Sequence, residues 1–174
     1  MVTEDELPLE DEARAPILVL GVGNELLRDE GVGVVAARAL AHEGFPVEVE
    51  VVEGGTGGFD LVFELEGREQ AVLVDAVDMG TEPGTVRVFT PAEVEAEIAE
   101  PIASLHQVGL LDVIEIGGMT GKMPPVTIVG IQPKEIAPGF GLSVQVGTAI
   151  TEVIAQVHRL VDQILQERRD PEEP

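Results

Sequence analysis

Glu30, Asp75 and His106 are three side chains able to bind a metal ion, and each falls at the end of an element that the sequence predicts. Glu30 opens a helix just after a glycine turn, Asp75 closes the buried apolar run Ala71–Val74, and His106 lies near the start of a later helix. If the strands leading to the two carboxylates are neighbours, both acids flank the crevice where open α/β sheets bind ligands. Two carboxylates that close repel each other, so one must take up a proton or a cation must sit between them. An imidazole completing the set gives a one-His, two-carboxylate site for a divalent metal such as zinc or nickel. Taken singly, each residue has a plainer use. A helix-start Glu complements the helix dipole, a strand-end Asp caps a loop, and a lone His packs. The chemistry therefore depends on whether the fold brings the three together.

The stretch Ile17–Leu40 sets the architecture. Four apolar residues, Ile17 to Leu20, run into Gly21-Val22-Gly23-Asn24, and then Val32, Val35, Ala36, Ala39 and Leu40 recur at helical spacing. Such a run without alternation suits a parallel strand buried on both faces, here Ile17 to Val22, and the whole reads as the opening βα unit of an α/β domain. Asp29 is expected to cap the helix, which runs from about Arg28 to Glu43 and stops at Gly44. A second strand covers Val47 to Glu53 and leads to Gly54-Gly55-Thr56-Gly57-Gly58, a loop that side-chain packing does not explain. A short helix over residues 59–65 precedes the third strand, which ends at Asp75. The strand Thr85–Phe89 follows too soon for a parallel crossover and is expected to run antiparallel. Pro91 opens an acidic helix, Ser104 to Ile116 forms another, and Val126–Ile131 is the last strand. Ser143 then caps a long helix with Val146, Ile150, Val153, Val157, Leu160, Val161, Ile164 and Leu165 on one face. The expectation is one three-layer α/β domain over residues 17–169. Its twisted, mostly parallel five-stranded sheet carries helices on both faces and one antiparallel strand. An acidic tail (1–16) and a short C-terminal tail (170–174) flank it.

Composition narrows the function. Thirty-three Asp and Glu against ten Lys and Arg leave a formal charge of −23. That argues against nucleic acid, which needs a basic footprint, and favours a basic partner segment. The chain has no Cys, hence no disulfide, thiol nucleophile or thiolate-bound metal. No apolar run approaches the roughly 18 residues of a membrane span, and the acidic N-terminus does not read as a signal peptide. A cytoplasmic protein acting as a monomer, away from membranes, is expected.

Several familiar motifs fail. Gly21-Val22-Gly23 invites a dinucleotide reading with Glu53 as the ribose ligand, but Leu26 occupies the position of the third glycine. Gly121-Lys122 resembles the end of a P-loop, yet Ile116 stands at its first glycine and Met123 where Ser or Thr should hold magnesium. His42-Glu43 is not followed by the second histidine of a zinc protease, and neither Ser104 nor Ser143 lies in a GxSxG elbow. His42 and His158 read as surface or packing residues.

What remains is a set of segments in order: GVGNELLRDEGVG (21–33), EGGTGG (53–58), VDAVD (74–78), SLHQVGLLDV (104–113) and VGIQPKEIAPGFGLS (129–143). Together they resemble the hydrogenase maturation endopeptidases, which trim the C-terminal extension from the large subunit of nickel–iron hydrogenases. The resemblance implies that the metal-contacting positions are Glu30, Asp75 and His106. It implies that the divalent metal is nickel already inserted in the precursor, with zinc or cadmium able to occupy the site in vitro, and that the partner is the large-subunit precursor. The catalytic group itself is not identified by it. Relatives often carry Asp where this chain has Glu53, one methylene longer, which puts a direct role for that carboxylate in question. A non-catalytic subunit chaperone would use the same surface without needing Glu30, Asp75 and His106 as a set.

The acidic composition generates a prediction of its own. If it is an adaptation to high salt, screening should relieve self-repulsion, and the urea midpoint should rise between low and molar sodium chloride. A midpoint that does not move would refute the adaptation.

Overall fold

A computed structural model of the chain describes residues 14–58, 60–93, 114–115, 117–119, 121 and 123–170. Among the described residues five strands form one sheet: β1 (Ile17–Val22), β2 (Val49–Gly55), β3 (Gln70–Ala76), β4 (Val86–Phe89) and β5 (Val126–Ile131). Their order is β2-β1-β3-β5-β4, with every pairing parallel except β4 on β5. The antiparallel strand expected from the short connection is thus present, and it pairs with β5 at the sheet edge. Strands β1 and β3 are neighbours, as the metal-site reading required. The acidic helix beyond Glu93, most of the helix 104–116, residues 1–13 of the N-terminal tail and residues 171–174 lie outside the described residues.

Both faces of the sheet are covered. On one side Ile17, Val19, Val72, Val74 and Val129 meet α1 (Val32–Glu43) and α3 (Val144–Arg169). On the other, Leu18, Leu20, Leu73 and Ile128 meet α2 (Asp60–Leu65) through Leu61 and Leu65. All six residues of β1 are buried, which is why it reads as an unbroken apolar run. In α3, Val146, Val153, Val157, Val161 and Leu165 are buried and Ile150, Leu160 and Ile164 partly so, as the helical spacing predicted. Each such side chain contributes roughly 1.5–3 kcal/mol by leaving water. Val47 does not belong to β2; it is 90% exposed in the turn before the strand. His158, at the outer side of α3, stacks on Phe45 with ring centroids 4.7 Å apart and lies 2.7 Å from Glu43, a packing role as expected. Among the described residues no helix is long and apolar enough to cross a membrane.

Two glycines determine how α1 meets the sheet. A Cβ on Gly33 would lie 2.1 Å from the Val74 carbonyl oxygen and 2.2 Å from that of Val22. A Cβ on Gly21 would lie 2.1 Å from the Gly33 carbonyl oxygen. The first turn of α1 therefore rests directly on the backbone at the carboxyl ends of β1 and β3. Gly33→Ala must push the helix off the strands, because the obstructing atoms are backbone. We expect a loss of roughly 1–3 kcal/mol or more in urea unfolding. Gly118→Ala, where an added Cβ meets nothing within 4 Å, should be nearly neutral. Equal effects of the two substitutions would refute the close-approach account.

Candidate metal-binding and substrate site

The 3-10 turn Arg28–Gly31, which leads into α1, lies against the end of β3. It brings Glu30 over Asp75, and the two carboxylates are 3% and 2% exposed. Gly23 makes room for this turn. With φ at +139°, a Cβ there would fall 1.9 Å from the Glu30 carbonyl oxygen. The glycines that suggest a dinucleotide loop thus serve the approach of the turn and helix to the strand.

Burial pushes the Asp75 carboxyl well above the usual carboxylate range. The Ala76 N–H, donating to Asp75 Oδ1 at 2.8 Å, pulls it back, and the charge of Glu30 pushes it further up. Oε2 of Glu30 is likewise enclosed by protein. Two acids held together away from water favour a proton or a cation, as the sequence reasoning required. Two carboxylates are hard oxygen donors of the kind that divalent cations take, and an imidazole would have to join them to favour zinc or nickel. His106 lies outside the described residues, so the structure brings together two of the three expected ligands.

Asp29 does something the sequence did not predict. It caps nothing: Gly31 occupies the N-cap position of α1, without a side-chain bond. The Asp29 carboxylate is fully buried and accepts hydrogen bonds from the backbone N–H groups of Lys134 (2.9 Å), Glu135 (3.1 Å) and Ser143 (2.6 Å). It also accepts one from the Ser143 hydroxyl at 2.9 Å. Burial alone would raise its pKa, but these donors hold it below the ordinary value. Ser143 stands at the N-cap of α3, yet its hydroxyl is committed to Asp29 and not to its own helix. Around this latch, Leu27 bridges Gly139 and the Gly139 N–H donates to the Leu26 carbonyl at 2.9 Å. Arg28 takes a positive φ of 52° at this point. Gln132, also buried, accepts from the Met79 N–H at 2.7 Å and donates to Asp78 Oδ1 at 3.1 Å, holding the loop that follows Asp75. Asp29 partners residues more than one hundred positions away, and no local pattern could have found it.

Glu53 is held by Arg38. Its carboxylate is exposed and accepts a 2.7 Å hydrogen bond from Arg38 Nη2, while the same guanidinium grips Glu25 at 2.9 and 3.0 Å. The hydrogen bond from Arg38 holds the Glu25 carboxyl below its usual value.

The hydrogenase maturation protease family model matches residues 34–160. The chain belongs to this family. It is 39% identical over 144 residues to the hydrogenase 2 maturation protease of Escherichia coli, covering 81% of this chain and 87% of that one. It is also 39% identical over 122 residues to the hydrogenase expression/formation protein HupM of Azotobacter chroococcum, covering 69% of this chain and 58% of that longer protein. The structure superposes on the hydrogenase maturating endopeptidase HybD of E. coli with a TM-score of 0.76 at 37% identity, covering 84% of this chain and 92% of that one. On the [NiFe] hydrogenase maturation protease HybD of Thermococcus kodakarensis the TM-score is 0.69 at 30% identity, covering 83% and 97%. The expected family and α/β fold are both confirmed.

In this maturation protease Asp29 and Asp75 should respond to pH in opposite senses. Asp75 has a raised folded pKa, so its stabilising contribution is complete below the ordinary carboxylate value and is lost as pH rises through the folded value. Asp75→Asn should therefore raise the melting temperature at pH 7, and the gain should fade below about pH 4. Asp29 has a lowered pKa, so its contribution is present above the ordinary value and is lost as pH falls through the folded one. Asp29→Asn should cost on the order of 2–3 kcal/mol at pH 7, since an amide cannot accept all four donors. Thermal melts of both variants across pH 3–8 check this; destabilisation of Asp75→Asn at neutral pH would refute the strained-pair account.

Proposed function

We propose that this chain is an endopeptidase that removes the C-terminal extension of a nickel–iron hydrogenase large-subunit precursor. In this reading it recognises the metal already held by that precursor. The observation that carries the proposal is the buried Glu30–Asp75 pair, two acids held together beside the carboxyl ends of the neighbouring strands β1 and β3. The structure keeps this arrangement although it disfavours two negative charges, and a cation arriving with the substrate would relieve it. His106 would supply the nitrogen donor.

In this scheme the precursor brings the nickel, and the protease completes its surroundings with Glu30, Asp75 and His106. Only a precursor with metal in place is seated, so binding reports readiness, and the scissile peptide is held beside the acids. The glycine loop 54–58 lies at the same edge of the sheet, where its backbone N–H groups can pair with an extended substrate chain or face a developing oxyanion. Zinc or cadmium would enter the same donors in vitro.

The test is cleavage of nickel-loaded and nickel-free precursor, read as the mass of the released extension. Only the loaded form should be cut. Glu30→Gln, Asp75→Asn and His106→Ala should each abolish most cleavage while the proteins remain folded, since ligands at element ends contribute little to the core. Double variants should be hardly worse than single ones, as expected of groups that serve one ion. Calorimetry should show zinc binding lost in the same variants. Normal nickel-dependent cleavage by folded Glu30→Gln, Asp75→Asn protein would sink the proposal, and binding of the precursor without any cleavage would favour a chaperone.

A further inference from the structure

Arg38 lies on the outward side of α1 and joins three separate pieces of chain. Its Nη1 donates to Glu25 Oε1 at 2.9 Å and its Nη2 to Glu25 Oε2 at 3.0 Å, the two parallel bonds of a bidentate pair. The same Nη2 donates to Glu53 Oε2 at 2.7 Å. Glu25 belongs to the loop between β1 and the 3-10 turn that carries Glu30, and Glu53 lies near the end of β2. All three side chains are between 43% and 47% exposed, so no buried charge has to be compensated here. Isolated surface pairs are worth little, but bidentate geometry within a network is the exception.

The position of the cluster gives it a use. Between Gly21 and Val22 the register with β2 shifts: Gly21 lies opposite Glu53 and Val22 opposite Gly55, so Gly54 is bulged out. Such bulges re-aim the chain at strand ends. Beyond it, Gly55 (φ +55°) and Gly58 (φ +47°) take conformations that glycine adopts readily. Backbone bonds hold the loop from Gly23 N–H to the Gly55 carbonyl at 2.9 Å and from Gly57 N–H to the Gly54 carbonyl at 3.2 Å. The Glu53 side chain adds a tether immediately before the bulge. Through Arg38 that tether reaches the loop that leads to Glu30.

We propose that Arg38 is a positioning residue for the substrate chain. By gripping Glu25 and Glu53 together it sets the glycine loop at a fixed distance from the Glu30–Asp75 pair, and Glu53 serves the reaction through this tether. Glu53 is then neither an acid, nor a base, nor a metal ligand. The inference rests on the endopeptidase reading for its functional half, and on geometry alone for the tether.

The experiment compares Arg38→Met, which keeps an apolar stem, with Arg38→Lys, Glu53→Gln and the Arg38→Met, Glu53→Gln double variant. Amide hydrogen exchange in Gly54–Gly58 should speed up in Arg38→Met and Glu53→Gln, with the melting temperature almost unchanged. The ratio kcat/KM for nickel-loaded precursor should fall about tenfold, chiefly through KM, with the double variant no worse than either single one. Arg38→Lys should fall between, because one ammonium cannot reproduce the fork. Calorimetric zinc binding should stay at the wild-type level in all four. Unchanged loop exchange in both Arg38→Met and Glu53→Gln would overturn the tether. Loss of zinc binding or of kcat in Glu53→Gln, with Arg38→Met active, would overturn the indirect role and make Glu53 a direct participant. If the wild-type protein cuts no precursor, the endopeptidase reading fails, and the exchange and zinc measurements still decide the tether.

Discussion

The first turn of α1 touches the sheet through backbone, without a layer of side chains between. Gly33 sits so close to the Val22 and Val74 carbonyls that a methyl group would overlap both. These carbonyls belong to the last residue of β1 and the residue before Asp75. One contact therefore fixes the height and direction of α1 over both strands at once. The 3-10 turn that precedes the helix has little choice of position after that. It must pass across the end of the sheet, and Gly23 lacks the Cβ that would block it. Glu30 reaches Asp75 because the helix behind it cannot stand further away.

The motif segments are connected by the same logic. Asp29, next to Glu30, is held by backbone N–H groups at 134, 135 and 143. Asp78, three residues past Asp75, is held by Gln132. The segments 21–33, 74–78 and 129–143, which look independent along the chain, form one hydrogen-bonded edge around the acid pair. Neighbouring acids take opposite parts in it. Asp29 carries a charge that four donors satisfy, so it stiffens the edge. The surroundings of Asp75 oppose a charge, so it holds a proton more readily than an ordinary carboxyl. A site of this kind needs both, because a strained pair relaxes unless the chain around it is held.

Much of this was legible in the sequence and some could not be. β1 and β5 had the predicted bounds because their apolar runs are bounded by glycine or proline. The buried face of α3 followed from its spacing. The antiparallel β4 followed from loop length alone. Glu30 and Asp75 were readable as a pair because element ends and a neighbouring strand order place them together. Asp29 was misread because a helix-start Asp and a helix-start Ser are each locally ordinary, and their mutual bond spans 114 residues. Gly33 lies inside the predicted helix, and the sequence does not show which face of that helix meets a carbonyl. The Arg38 cluster was invisible for the same reason.

The acidity of the chain acquires a more local meaning at this edge. A net charge of −23 raises the cost of every further negative charge. Elsewhere the structure disperses it: Arg68 faces Glu50 at 2.6 Å, Arg168 faces Glu69, and Arg38 takes two glutamates. With ten basic residues against thirty-three acids, a position that draws an arginine fork is a costly assignment, and Arg38 places two bonds on one glutamate and a third on another. Asp75 is in the opposite situation: its raised proton affinity comes first from burial and is increased by the charge of Glu30. The fold thus pairs acids with arginine where loops must be held, and buries Glu30 and Asp75 together at the end of the sheet. That division, and not the total charge, is what sets the buried pair apart from the other acids of the chain.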